Sequence, residues 1–341
     1  MHKFTAFNST SARSAGSLLR SIAAIALLAV ACGASSPAWC KTASLWVADT
    51  DHNRVVELTP SDLESSGAPS PLVLDSAALI DPIGVAFDNS KNLWVTTDDN
   101  LVLEFTPAQL KNLATVSNPT PHATISSTMF DDLYGCTFDK HGNLWVIDYG
   151  GDGVHELTHK QLKAGSNSDI TPKINITSSS LDYPNFGVFD KSGNLWVSSE
   201  DTSSIVEFSA SQLGSSGAET PHVILSSSGD SLYFPGQLVF DSKRNLWVAN
   251  YETATVVMFE KNQLGVTGSP TPAVTLSGSA FDGPWGLALD SGGNLWVSNY
   301  TTDDIFKFSS TQLTTSGTPT PPVVLTGILD HGYQMTFGPV F

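Results

Sequence analysis

The sequence predicts an all-β fold: a six-bladed β-propeller of four antiparallel strands per blade, its ring closed by pairing of the N- and C-terminal strands. Three observations predict it. Leu-Trp-Val occurs six times, with tryptophans at 46, 94, 145, 196, 247 and 296; a repeat of about fifty residues is a propeller period. Most copies follow the same lead-in, an Asp, two or three variable residues and an Asn. The two ends are complementary halves. Leu45–Asp49 has no inner strand before it, and Tyr333–Gly338, which matches Trp285–Asp290, has no tryptophan strand after it.

Residues 1–38 read as an export signal. Lys3, Arg13 and Arg20 form a basic front, and Ser21–Ala31 is a small apolar run too short to span a bilayer comfortably. Ala29-Val30-Ala31 fits a signal-peptidase site, and Ser36-Pro37-Ala38 is a second option. Cys32, directly after Ala31, also resembles a bacterial lipoprotein box, which would substitute a lipid anchor for release. The expected location is periplasmic, cell-surface or secreted. Export permits a Cys40–Cys136 disulfide, but nothing in the spacing brings the two together, and a packed thiol at Cys136 is the favoured reading.

Residues 39–341 then form one propeller domain, expected to be a monomer. Hydrophobic residues make up 40% of the chain, ample for a core, and the net charge is −17 with no acid among residues 1–40. So acidic a chain repels phosphate backbones and anionic membrane surfaces, which argues against nucleic acid as a partner.

The blade around Trp145 shows the elements in order. Tyr134–Phe138 is a short β-prone run. Asp139–Asn143 is a tight turn, in which Asp bonds its own backbone and Gly and Asn tolerate positive φ. Leu144–Asp148 is the second strand and Val154–Leu157 the third. Thr158 caps one helical turn through Leu162. Residues 170–176 form the outer strand, where Pro172 suits an edge. Leu-Trp-Val is apolar on both faces, as a strand packed between two neighbouring blades must be, and each tryptophan is expected to fill the gap between blades and bury on the order of 150–250 Å².

The string from Pro284 to Asp290, followed by Gly293 to Asn299, resembles the NHL repeat. It is also similar to repeats of the SMP-30/gluconolactonase-like propellers and, more loosely, of streptogramin lyases. The resemblance spans about 300 residues but rests on strand and turn positions, and function does not follow from fold. Gluconolactonase-like propellers hold a divalent cation in the central tunnel with Glu, Asn and Asp. The resemblance therefore implies a cation such as Ca²⁺, for which oxygen ligands are suited. Asn185 stands at the matching inner-strand position after Pro184. Its five equivalents, Ile83, Tyr134, Gly236, Trp285 and Tyr333, cannot supply the other ligands, which counts against a lactonase. Asp148, Glu200, Asn250 and Asn299 are a different candidate metal set.

The loops entering the inner strands and those between second and third strands share one face. Tyr134, Tyr149, Asn185, Tyr251, Trp285, Tyr300 and Tyr333 are its candidate ligand-binding residues, because aromatic rings mixed with amides and acids suit a small molecule, a carbohydrate or a peptide segment of a protein. These loops differ from blade to blade, whereas the Asp-x-x-Gly-Asn turns opposite are nearly uniform. His52 and His331, beside Asp51 and Asp330, are candidate catalytic residues, since a His–carboxylate pair can act as general base. The resulting expectation is a binding module. The alternative is a metal-dependent lactonase or hydrolase, or a streptogramin-lyase-like enzyme, working in the central channel.

Overall fold

Each Leu-Trp-Val is the second strand of a four-stranded antiparallel sheet, and six such sheets form a β-propeller. The computed structural model describes residues 43–227, 229 and 231–341; the signal-like segment, Cys32 and Cys40 lie outside the described residues. Blade 1 joins the two ends. Gly332–Pro339 is its inner strand and Ala43–Asp49 its second, with Leu45 opposite Phe337, Trp46 opposite Thr336 and Val47 opposite Met335. The third and outer strands of this blade are Arg54–Leu58 and Leu72–Asp75. Blades 2 to 6 follow in chain order, with inner strands Pro82–Phe87, Leu133–Phe138, Pro184–Phe189, Pro235–Phe240 and Pro284–Leu289.

The core lies between blades. All six tryptophans are nearly fully buried, and four meet an aromatic ring at the end of the next blade's inner strand edge-on: Trp46–Phe87, Trp145–Phe189, Trp196–Phe240 and Trp296–Phe337, at 5.4–6.5 Å. This is the expected role, and edge-to-face geometry adds to the area buried. The expected turns hold too. Asp139 Oδ1 accepts the N–H groups of His141 and Asn143, and Asn143 Oδ1 accepts the N–H of His159, which fixes the start of the helical turn His159–Leu162. Thr158 caps that turn as expected. The outer strand begins later than the sequence suggests, at Ile174, because Pro172 lacks the N–H that a ladder needs.

The outer edges of blades 2 to 6 are each clasped by the next blade. Gly217 bridges Ile176, and Ser216 Oγ accepts the N–H of Asn175 at 3.0 Å. Ser66, Ser166, Thr267 and Ser316 make the same bond to Val324, Thr124, Ile224 and Thr275. The Ser/Thr-Gly/Asn pairs in these segments cover backbone that would otherwise be an open edge.

Two glutamines bridge the axis. Gln334 Oε1 accepts the N–H groups of Val85 and Cys136, and its Nε2 donates to Cys136 O. Gln237 Oε1 accepts the N–H groups of Leu287 and Met335, and its Nε2 donates to Met335 O. Both are buried. They satisfy the free edges of inner strands that a closed ring cannot pair with one another. Cys136 is a buried free thiol beside them, its pKa pushed up to about 12 by burial.

Candidate functional site

The loops that enter the inner strands and those between second and third strands lie on one face, and a six-fold set of hydrogen bonds holds them. The residue after each second strand donates its N–H to the carbonyl just before the inner strand: Thr50 to His331, Asp98 to Asp81, Tyr149 to Asp132, Glu200 to Tyr183, Tyr251 to Phe234 and Tyr300 to Gly283. All six acceptor residues have positive φ, between 43° and 66°. Five of them are not glycine, so the surrounding bonds hold them where L-residues are costly. Side chains here are therefore aimed by backbone that is fixed on both sides.

The face is aromatic. Tyr134 stacks on Tyr149 at 4.1 Å, and Tyr149 meets Tyr183 of the next blade at 4.7 Å. Tyr134 and Trp285 each meet Tyr333 edge-on, at 6.0 and 5.8 Å. Tyr251 meets both Trp285 and Tyr300 edge-on, and Tyr300 stacks on His331 at 4.0 Å. Ile83 and Phe186 form the floor with Trp285. The Tyr134, Tyr333 and Tyr300 phenols act on one another at close range, and burial holds Tyr134 and Tyr333 protonated, far above the ordinary tyrosine value. Tyr233, exposed at the rim, enters the inner strand of blade 5. All seven tyrosines of the chain thus belong to this face. Five of them are candidates from the sequence. Tyr183 and Tyr233 are not, since they lie one and two residues before an inner strand, in loops that carry no repeat signal.

Of the seven predicted ligand-binding residues, the structure brings the six aromatic ones into this network. Asn185 is fully buried beneath it. Its Nδ2 donates to Glu200 Oε2 and to Pro235 O, and its Oδ1 has no partner. The four residues of the predicted metal set are engaged in hydrogen bonds within their own blades. Asp148 accepts from the N–H groups of Asp131 and Gly151 and pairs with His155 Nε2 at 2.7 Å. Asn250 donates to Ser231 O and Asn299 to Ala280 O, while Glu200 is held by Asn185. Each serves its own blade. Asp148, Asn250 and Asn299, with Asp49 and Ser199, all tie the loop before the inner strand to the end of the second strand. Their variety is one structural task done with different side chains.

The histidines separate. His52 Nδ1 contacts Asp49, which also holds Arg54 Nε at 2.6 Å. His331 Nδ1 lies 2.9 Å from Asp51 Oδ2, and Asp51, Asp330 and His331 are close enough to share one cation. His155, a buried histidine paired with Asp148, went unnoticed in the sequence because it looks like any strand residue.

Carboxylates crowd the face. Burial, with the neighbouring Asp98 carboxyl, raises the Asp132 pKa to about 7. Burial also raises Glu200, and Asn185 partly offsets this. The cations are elsewhere. Lys91, Lys140, Lys191, Lys243 and Arg244 sit in or beside the Asp-x-x-Gly-Asn turns, and Lys111, Lys160, Lys163 and Lys261 at the helical turns beside them. Arg54, bound to Asp49, is the one described lysine or arginine on the aromatic face. A cavity of about 280 Å³ opens on the cationic side, lined by Trp196, Phe240, Lys191 and Arg244. It is the mouth of one gap between blades, and none of the tyrosines lines it.

No protein-family model and no curated protein sequence matches the chain. Solved structures do. The chain is similar to a structure from a nidogen/laminin complex at 15% identity, over 87% of this chain and 98% of that one, with a TM-score of 0.61. A protein of unknown function from Bacteroides caccae matches at 11% identity over 87% and 99%, also at 0.61. Virginiamycin B lyase from Staphylococcus aureus matches at 14% identity over 80% and 82%, at 0.51. At these identities the likeness is one of fold, and the class that fold and neighbours define is the β-propeller.

Proposed function

We propose that this is an exported, NHL-like propeller that binds a ligand or partner through its aromatic face. The observation that carries the reading is the confinement of every tyrosine to one face of a ring whose six blades are otherwise alike. Packing between blades uses tryptophan and phenylalanine, so a structural demand for rings gives no reason to place tyrosine on one side only. Half-buried tyrosines present large, stiff, amphipathic surface of the kind that anchors bound partners. Exposed Ile80, Met129, Tyr183 and Tyr233 widen the apolar rim. Propellers of this shape serve both as protein-binding modules and as enzymes, as the nidogen and lyase neighbours illustrate.

The test is a binding screen of oligosaccharides, peptides and small molecules on the mature protein, repeated on Tyr183→Ala with Tyr251→Ala. Binders of the parent protein should lose about 1–3 kcal/mol on the double variant by calorimetry. Unchanged affinity in a folded double variant would remove the aromatic face from the function. A lyase or hydrolase reading has one observation in its favour, the His331–Asp51 pair beside Tyr300. Turnover of a lactone or depsipeptide that His331→Ala abolishes would establish it.

A further inference from the structure

We infer that the ligand of the aromatic face is a cation: an ammonium or guanidinium group seated against the Tyr134–Tyr149 stack, between Glu200 and Asp132. The inference rests on the binding reading above and deepens it. Its first support is uncompensated charge. Glu200 and Asp132 come from adjacent blades and both act electrostatically on the Tyr134 and Tyr149 rings. No described lysine, arginine or histidine forms an ion pair with either. A half-buried carboxylate without a counter-ion is costly, and the usual remedy is a positive partner.

The second support is independent of charge. The Oδ1 of Asn185, in a fully buried side chain whose amide holds Glu200, has no hydrogen-bond partner, and neither has Asp132 Oδ1. Both are acceptors, so what is missing is a donor. An ammonium or guanidinium group brings several donors and a full charge. The third support is the rings. Cations are drawn to aromatic faces, and Tyr183 adds another at the rim of the stack. A neutral sugar would stack as well but would leave Glu200 uncompensated. An anion would be repelled.

Such a head group is found on a free organic amine and on the lysine or arginine of a peptide, and the probes separate the two. Choline is titrated calorimetrically against its neutral isostere 3,3-dimethylbutan-1-ol. A short lysine peptide is titrated against the same peptide acetylated on every lysine, and maltohexaose serves as a neutral ligand. The cationic member of at least one pair should bind at least about tenfold tighter than its neutral twin, a difference that a desolvated cation–π contact with an adjacent carboxylate supplies. Glu200→Gln and, separately, Tyr149→Ala should each weaken that binding about fivefold or more, and Glu219→Gln, at the outer edge where Glu219 accepts from Gln212 and bonds Thr177 of the neighbouring outer strand, should leave it unchanged. Choline binding identifies a free amine; binding of the lysine peptide alone identifies a side chain. If maltohexaose binds and is lost in Tyr149→Ala while cations show no preference, the cation inference is wrong and the binding face stands. Cation binding that Glu219→Gln weakens as much as Glu200→Gln is diffuse attraction to an acidic protein, and it also overturns the inference. If no probe binds, the cation inference falls, and the wider screen decides the face.

Discussion

At the scale of single residues, similar side chains do unlike work. Trp196 and Trp285 are both buried indoles whose Nε1 has no hydrogen-bond partner. Trp196 is wedged between blades against Phe240, so Trp196→Ala should destabilise by about 3–5 kcal/mol, read from denaturant unfolding. Little loss of stability would show that the gap can collapse without it. Gln334 is the opposite case, a polar residue whose whole contribution is hydrogen bonding. Gln334→Leu keeps the volume but strands the N–H groups of Val85 and Cys136 and one lone pair of Cys136 O. At about 1–3 kcal/mol for each buried group left unpaired, the expected cost is about 2–5 kcal/mol. A neutral substitution there would mean that water replaces the amide.

Among the elements, the third strand carries a titration. Glu57, Glu104, Glu156 and Glu207 each lie opposite a tryptophan in the neighbouring second strand. Burial raises the first three, and Glu57 reaches about 7 although Ser44 donates to it. Between its ordinary value of 4.5 and about 7, Glu57 holds more proton in the folded chain than in the unfolded one. Stability should therefore fall as pH rises through that window. The melting temperature should drop from pH 5 towards pH 8, and Glu57→Gln, which can still accept from Ser44, should flatten the drop. An unchanged slope in the variant would place the pH dependence in other groups. Strand order, the tryptophan wedges and the closing pair were legible because period and polarity alternate with the blade. The bonding of the candidate metal ligands was not legible, for a physical reason. Asp148, Asn250 and Asn299 share a register position, and sequence shows that position but not that each side chain turns back onto its own loop. The glutamines escaped notice because their partners are backbone groups up to 249 residues away.

On the scale of the whole molecule, the ring depends on its seam. Gly332–Pro339 supplies the inner strand of blade 1, and the core between blades 6 and 1 includes Ile328, Leu329 and Met335. Removing residues from Tyr333 onward exposes the edge of Ala43–Asp49 and also withdraws Gln334 from the axis. Cooperative unfolding should be lost, by calorimetry or circular dichroism. A truncated chain that melts like the parent would contradict the closed ring. The bridging of the axis has another consequence. Gln334 joins blade 1 to blades 2 and 3, and Gln237 joins blade 5 to blades 6 and 1. Both networks meet on Gly332–Pro339, so the strand that closes the ring is also its keystone, and a disturbance there reaches inner strands on either side at once.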